Sequence, residues 1–128
     1  MPFIKISALQ EVPNKDTLMQ NVEQALYDRQ LRDAPLMPEN MATCLWQTLD
    51  SIVHKGEINH VFEKEKAEVP VFVDLYVNRV FSHEGICLIM ETIADALSAT
   101  GEINKKNIFI HVHEGNPGFI YINGAVSY

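Results

Sequence analysis

The sequence predicts an α+β domain: duplicated β-α-β units giving a four-stranded sheet with two helices on one face, and a C-terminal hairpin. Three observations lead there. Short β-rich runs alternate with segments whose apolar residues recur at helical spacing. The order strand, helix, strand occurs twice, over about 1–50 and again over 69–128, with a polar stretch between. The two halves also resemble each other in residues. Leu18-Met-Gln-Asn-Val-Glu-Gln-Ala-Leu26 lies over Ile89-Met-Glu-Thr-Ile-Ala-Asp-Ala-Leu97, and Phe3-Ile-Lys-Ile lies over Phe72-Val-Asp-Leu, which reads as a weak internal duplication. The chain has 128 residues, 47% of them apolar and 21% charged, enough for one core and too few for two, so 1–128 is read as a single domain.

Residues 3–8 alternate and are rich in β-formers, so they open the chain with a strand. Pro13 and Asn14 mark a turn, and Asp16 is placed to cap the helix expected over about 16–30. Leu18, Met19, Val22, Ala25 and Leu26 form its apolar stripe, and Pro35 and Pro38 end the region. Residues 41–49 read as a second strand. The polar segment 51–68, with its run Glu63-Lys64-Glu65-Lys66, reads as a solvated loop or hairpin.

The pattern then restarts. Val69–Val77 is the strongest strand signal in the chain, with Pro70 at its start, where a missing donor is tolerated. Ser82 is the natural N-cap of a helix striped by Ile86, Ile89, Met90, Ile93, Ala96 and Leu97 and stopped by Gly101. Residues 107–113 form a strand with Ile108, Ile110 and Val112 on one face, and Asn123-Gly124 is a hairpin turn in the tail. Helices on one sheet face leave the other uncovered, and so short a chain has no third layer. Oligomerisation through that face is the expected solution.

Ten Lys+Arg against seventeen Asp+Glu give a net charge of −7, which argues against nucleic acid or an anionic membrane as partner while leaving room for a local basic pocket. No apolar run reaches the roughly 18–20 residues of a membrane span. The first residues lack the charged-then-apolar order of a secretory signal, so a cytoplasmic location is expected. Cys44 and Cys87 lie in apolar segments without a CxxC spacing and read as buried thiols. There is no Walker loop, GxGxxG or GxSxG, so nucleotide and serine-hydrolase chemistry have no anchor. His111 and His113 share a strand face, with Glu114 next to them; this can bind Zn²⁺ or Fe²⁺, but no further ligand spacing supports it. Histidines on a sheet face or interface are the expected reading, with no metal. Phe72, Tyr76 and Trp46 are assigned to core or interface.

Pro2 carries the most chemical information. Removal of an initiator Met before so small a residue leaves a free prolyl amine at the head of a strand. Burial disfavours the cationic form of an amine and lowers its pKa, which makes a general base at neutral pH; less desolvated, the same group is an acid.

Met1-Pro2 followed at once by a strand, the β-α-β duplication and the acidic chain resemble the tautomerase superfamily, in a fused two-repeat form. That family includes 4-oxalocrotonate tautomerase, macrophage migration inhibitory factor and the cis-3-chloroacrylic acid dehalogenases. Residues 102–114 resemble the segment leading into the last core strand of dehalogenase-like members. Residues 114–124 (Glu-Gly-Asn-Pro-Gly-Phe-Ile-Tyr-Ile-Asn-Gly) resemble the tail of 4-oxalocrotonate tautomerase. The resemblance implies a homotrimer and catalysis by the amino-terminal proline without a cofactor. Pro2 then matches the catalytic proline, and Arg79 the arginine that holds a substrate carboxylate, here about two positions early. Glu114 matches an acidic residue that orients water. Lys5 is expected to help Arg79, and Phe119 or Tyr121 to wall the amine with apolar surface. The arginine of the last core strand is replaced by Phe109, and the dehalogenase helix histidine has no counterpart near Leu26 and Tyr27. The expected activity is proton transfer on a small 2-keto or enol carboxylic acid. The alternatives are hydration or dehalogenation of an unsaturated acid, and a catalytically silent trimeric binding or structural module.

Overall fold

A computed structural model describes residues 3–8, 11–29, 43–49, 70–78, 81–116, 118–122 and 124–127. Strand β1 (Phe3–Ala8) leads into helix α1 (Lys15–Arg29) and strand β2 (Thr43–Thr48). Strand β3 (Val71–Asn78), helix α2 (His83–Ser98) and strand β4 (Ile108–Gly115) repeat that order, and a short 3-10 turn at Lys105–Asn107 leads into β4. Two three-residue strands, β5 (Ile120–Ile122) and β6 (Ala125–Ser127), follow.

The four longer strands form one sheet in the order β2-β1-β3-β4. Within each unit the two strands are parallel, as a helical crossover requires, and β1 meets β3 antiparallel at the centre. The unit β1-α1-β2 is thereby repeated by β3-α2-β4 about the centre of the sheet. The expected C-terminal hairpin is present as an antiparallel β5–β6 pair, with Gly124 at φ +80° supplying the left-handed turn position.

The core lies between the helices and one sheet face. Ile4, Ile6 and Ala8 of β1 and Val71, Val73, Leu75 and Val77 of β3 are buried there. Leu18, Val22 and Leu26 come down from α1, and Ile86, Ile89, Ile93, Ala96 and Leu97 from α2. The outer strands are less covered: Cys44 and Trp46 of β2 and Ile108, Ile110 and Val112 of β4 are half-buried against the same core. α2 is capped as expected, Gly85 N–H donating to Ser82 Oγ at 3.0 Å. Gly101, at φ +81°, donates its N–H to the Ser98 carbonyl and turns the chain away.

Local expectations shift at element ends, and β4 too runs on to Gly115, beyond the expected 113. α1 begins at Lys15, after Asn14 at φ 61°, so Asp16 lies inside the first turn and meets the positive end of the helix dipole instead of capping it. β3 begins at Val71 and runs through Asn78, beyond the expected end. The loop or hairpin expected over 51–68 lies outside the described residues. Among the described residues no helix is long and apolar enough to cross a membrane.

Because strand side chains alternate, the second sheet face carries the other half of each strand. Phe3, Lys5 and Ser7 face it from β1, Leu45 from β2, Phe72, Asp74 and Tyr76 from β3, and Phe109, His111 and His113 from β4. Phe3, Leu45, Tyr76 and Phe109 are 39–49% exposed on it. Within the described chain no helix covers this face.

Candidate active site at one end of the sheet

Strand register brings together, at one end of the sheet, the strand ends at or next to which Pro2, Arg79 and Glu114 stand in the sequence. Phe3, at the start of β1, is paired with Tyr76 near the end of β3 and with Thr43 at the start of β2. β4 finishes beside β3, Glu114 opposite Val77 and Gly115 opposite Asn78. The start of β1, the end of β3 and the end of β4 therefore meet at one edge. Pro2 is the residue before β1 and Arg79 the residue after β3; both lie outside the described residues, and it is their strands that are placed. The N-terminus of α2, five positions after the last residue of β3, follows from this same end.

Glu114 is exposed, at the rim where β4 ends. Lys5 is two residues into β1, half-buried on the open face and paired in register with Asp74. Phe119 and Tyr121 belong to the tail. Tyr121 is in β5, which pairs with β6 and not with the main sheet, and the two rings are 85% and 73% exposed. Within one chain they stand in solvent and do not pack as a wall.

The open face holds a cluster that strand spacing alone did not reveal. Asp74 and His111 are register partners across β3 and β4, and His113 is two residues further along β4 on the same side. His113 Nε2 lies 2.9 Å from Asp74 Oδ1. The His113 ring stacks on Tyr76, with centroids 4.5 Å apart and planes at 13°, and sits 4.5 Å from the His111 ring. Glu114, considered with the histidines from the sequence, follows His113 directly and so lies on the other side of the strand. Asp74 takes that place. Its signal was present in the sequence as the single charged residue within an otherwise apolar strand, but the partner strand was needed to read it.

The two thiols differ. Burial, reinforced by the nearby charge of Glu23 and a hydrogen bond to it, pushes Cys44 up from 9.0 to about 12, so it is held as an inert thiol. Cys87 sits in the first turns of α2, its Sγ 3.7 Å from His83 Nε2. Both thiols are half-buried and neither is in a disulfide.

No protein-family model and no curated protein sequence matches the chain significantly. Solved structures do match in fold. A macrophage migration inhibitory factor homologue from Prochlorococcus marinus superposes with a TM-score of 0.69 at 15% identity, over 98% of this chain and 99% of that one. A fused 4-OT, W0, described as a symmetric trimer, gives 0.71 at 12% identity over 98% and 96%. N1, a member of the cis-3-chloroacrylic acid dehalogenase family, gives 0.68 at 12% identity over 98% and 83%. Such identities speak for the fold alone: the chain has the fold that these solved structures share, as the sequence resemblance implied, and its two-repeat form is not settled by them.

Proposed function

We propose that the protein is a cofactor-independent tautomerase of small 2-keto or enol carboxylic acids, with Pro2 as the proton-transferring group. The observation that carries this reading is the convergence of three strand ends: the start of β1 that Pro2 precedes, the end of β3 that Arg79 follows, and the rim of β4 bearing Glu114. An amine and a guanidinium attached to adjacent strand ends suit a substrate whose reacting carbon sits a few bonds from a carboxylate. Arg79 holds the carboxylate through charge-assisted hydrogen bonds, and Lys5 adds positive charge from the neighbouring face. The neutral secondary amine of Pro2 removes the proton from one position and returns it to another.

A homotrimer completes this proposal. The open sheet face presents Phe3, Leu45, Tyr76 and Phe109 partly exposed, and the β5–β6 hairpin presents Phe119 and Tyr121 without a core of its own. An isolated two-stranded hairpin is marginally stable. The symmetric trimer among the solved structures of the same fold supports burying both surfaces against second copies of this chain. The hairpin aromatics then wall the site of a neighbouring protomer, where lower polarity depresses the amine's pKa.

A second reading keeps Pro2 protonated and lets Glu114 activate water, giving hydration or dehalogenation of an unsaturated acid. It is supported by the exposed position of Glu114 at the rim and by the likeness to N1.

Ketonisation of phenylenolpyruvate tests the first reading, followed by ultraviolet absorbance on material whose loss of Met1 is verified by intact mass. The wild type is expected to exceed the buffer rate, and Pro2→Ala to lose most of that excess, about 10²–10⁴-fold for a positioned general acid–base group. Arg79→Ala is expected to raise KM. Equal rates in wild type and Pro2→Ala leave a silent module.

A further inference from the structure

We propose that Asp74, His111 and His113 form a binding site for a divalent transition metal ion of the Zn²⁺ type on the open face of the sheet. The potential ligand atoms of these three side chains lie within 4.8 Å of one another. The β3–β4 ladder sets them there: Asp74 and His111 are opposite each other, and His113 is one pleat along on the same side. Zinc bonds of roughly 2.0–2.1 Å put neighbouring ligand atoms about 2.9–3.4 Å apart in tetrahedral or octahedral arrangements. The 2.9 Å between His113 Nε2 and Asp74 Oδ1 already falls in that range, and the ligand atom of His111 is within 4.8 Å, a gap that rotation of a side chain would have to close.

The donor set selects the ion. Two imidazole nitrogens and one carboxylate oxygen suit Zn²⁺, Co²⁺ or Ni²⁺ and do not suit Ca²⁺ or Mg²⁺, which take oxygen ligands. Neighbours hold the ligands in place. Tyr76 stacks on His113, and Phe3 in turn packs on Tyr76 with ring centroids 5.8 Å apart. Aromatic buttressing restricts the imidazole plane, the part a second shell plays at metal centres. The acidic chain, at −7, adds a favourable field for a cation, whereas Lys5, the register partner of Asp74, is the charge that opposes it locally. In one protomer Asp74 and His113 are about one-third exposed; the proposed trimer turns this face toward the other copies, so titration with Zn²⁺ also reads whether an ion reaches the cluster in the assembled protein. Three protein ligands leave a further coordination position to water.

Neither Pro2 nor Arg79 enters this inference, so it stands or falls apart from the proton-transfer reading. The test is Zn²⁺ titration calorimetry on untagged full-length protein, with Co²⁺ absorption as the spectroscopic probe. The expected result is about one Zn²⁺ per chain, with affinity lowered tenfold or more by each of Asp74→Ala, His111→Ala and His113→Ala. His83→Ala is expected to bind as the wild type. Co²⁺ is expected to give ligand-field bands without a thiolate charge-transfer band. Unchanged affinity in the three variants, loss of binding in His83→Ala, or a thiolate band in the wild type would overturn the assignment. The last measurement needs no variant and so holds even where a substitution disturbs folding.

Discussion

Phe109→Asp is the sharpest perturbation of the proposed assembly. Phe109 faces away from the helices, is 43% exposed, and meets the Phe72 ring edge-on at a centroid distance of 6.0 Å. Its loss therefore spares the core of the protomer. Phe3, Leu45, Tyr76 and Phe109, 39–49% exposed, together offer roughly 300 Å² per protomer, about 8 kcal/mol of gross burial at ~25 cal/mol per Å². Phe109 supplies about a quarter of this, ~2 kcal/mol, and a carboxylate taken into the interface costs several kcal/mol more. A loss on the order of 5 kcal/mol per protomer weakens association by about 10³–10⁴-fold. Sedimentation velocity at micromolar concentration reads the outcome, with far-UV circular dichroism as the control for fold. The expected result is a trimeric wild type and a folded, monomeric Phe109→Asp. A variant that still sediments as a trimer refutes the argument, as does a wild type that is monomeric at the same concentration.

Ser82→Ala removes the acceptor for Gly85 N–H and is expected to cost about 1 kcal/mol in urea unfolding, within roughly 0.5–2. Cys44, raised to about 12, is expected to alkylate about a thousandfold more slowly at pH 8 than a thiol at the ordinary 9.0, since only ~1 in 10⁴ is thiolate; timed iodoacetamide labelling with peptide mapping measures this, and a rate equal to that of the unfolded chain would count against burial at this site. The hydrogen bond from Lys105, together with the charges of Lys105 and Arg29, holds Asp95 below its ordinary 3.8. A carboxyl depressed in the folded state stabilises above the unfolded value and loses that contribution as pH falls through the folded one. The pair is exposed, so the effect is small and screened by salt. Lys105→Ala should be slightly less stable than the wild type at neutral pH and indistinguishable from it in acid, as read by urea midpoints across a pH series.

How much of this was legible in the sequence follows from the range of the forces involved. Strands and helices were readable because their signals are local. The alternation of Ile4, Ile6 and Ala8, the helical stripe of Ile86, Ile89, Ile93 and Leu97, the Ser82 cap and the Gly101 stop each act within a few residues, and each is found where the pattern put it. The doubled β-α-β order and the uncovered face followed from counting layers. Pro2 and Arg79 could be chosen as site residues from type and position, yet nothing local relates residue 2 to residue 79. Only the antiparallel pairing of β1 with β3 puts their strand ends together.

The same reason explains what stayed hidden in the sequence. Glu114 looked like a companion to His113 because it is next in sequence, but neighbours on a strand point to opposite faces. Asp74, 39 residues from His113, is the true companion, because the parallel β3–β4 register sets it there. Phe119 and Tyr121 were legible as aromatics and not as solvent-exposed ones, since exposure depends on what the rest of the chain leaves uncovered. Dihedral preferences and periodicity, both local to the chain, set which segments fold and which face of each is apolar. Tertiary structure alone decided which chemical groups meet, because strand register is set by summed hydrogen bonds and core packing across the whole sheet.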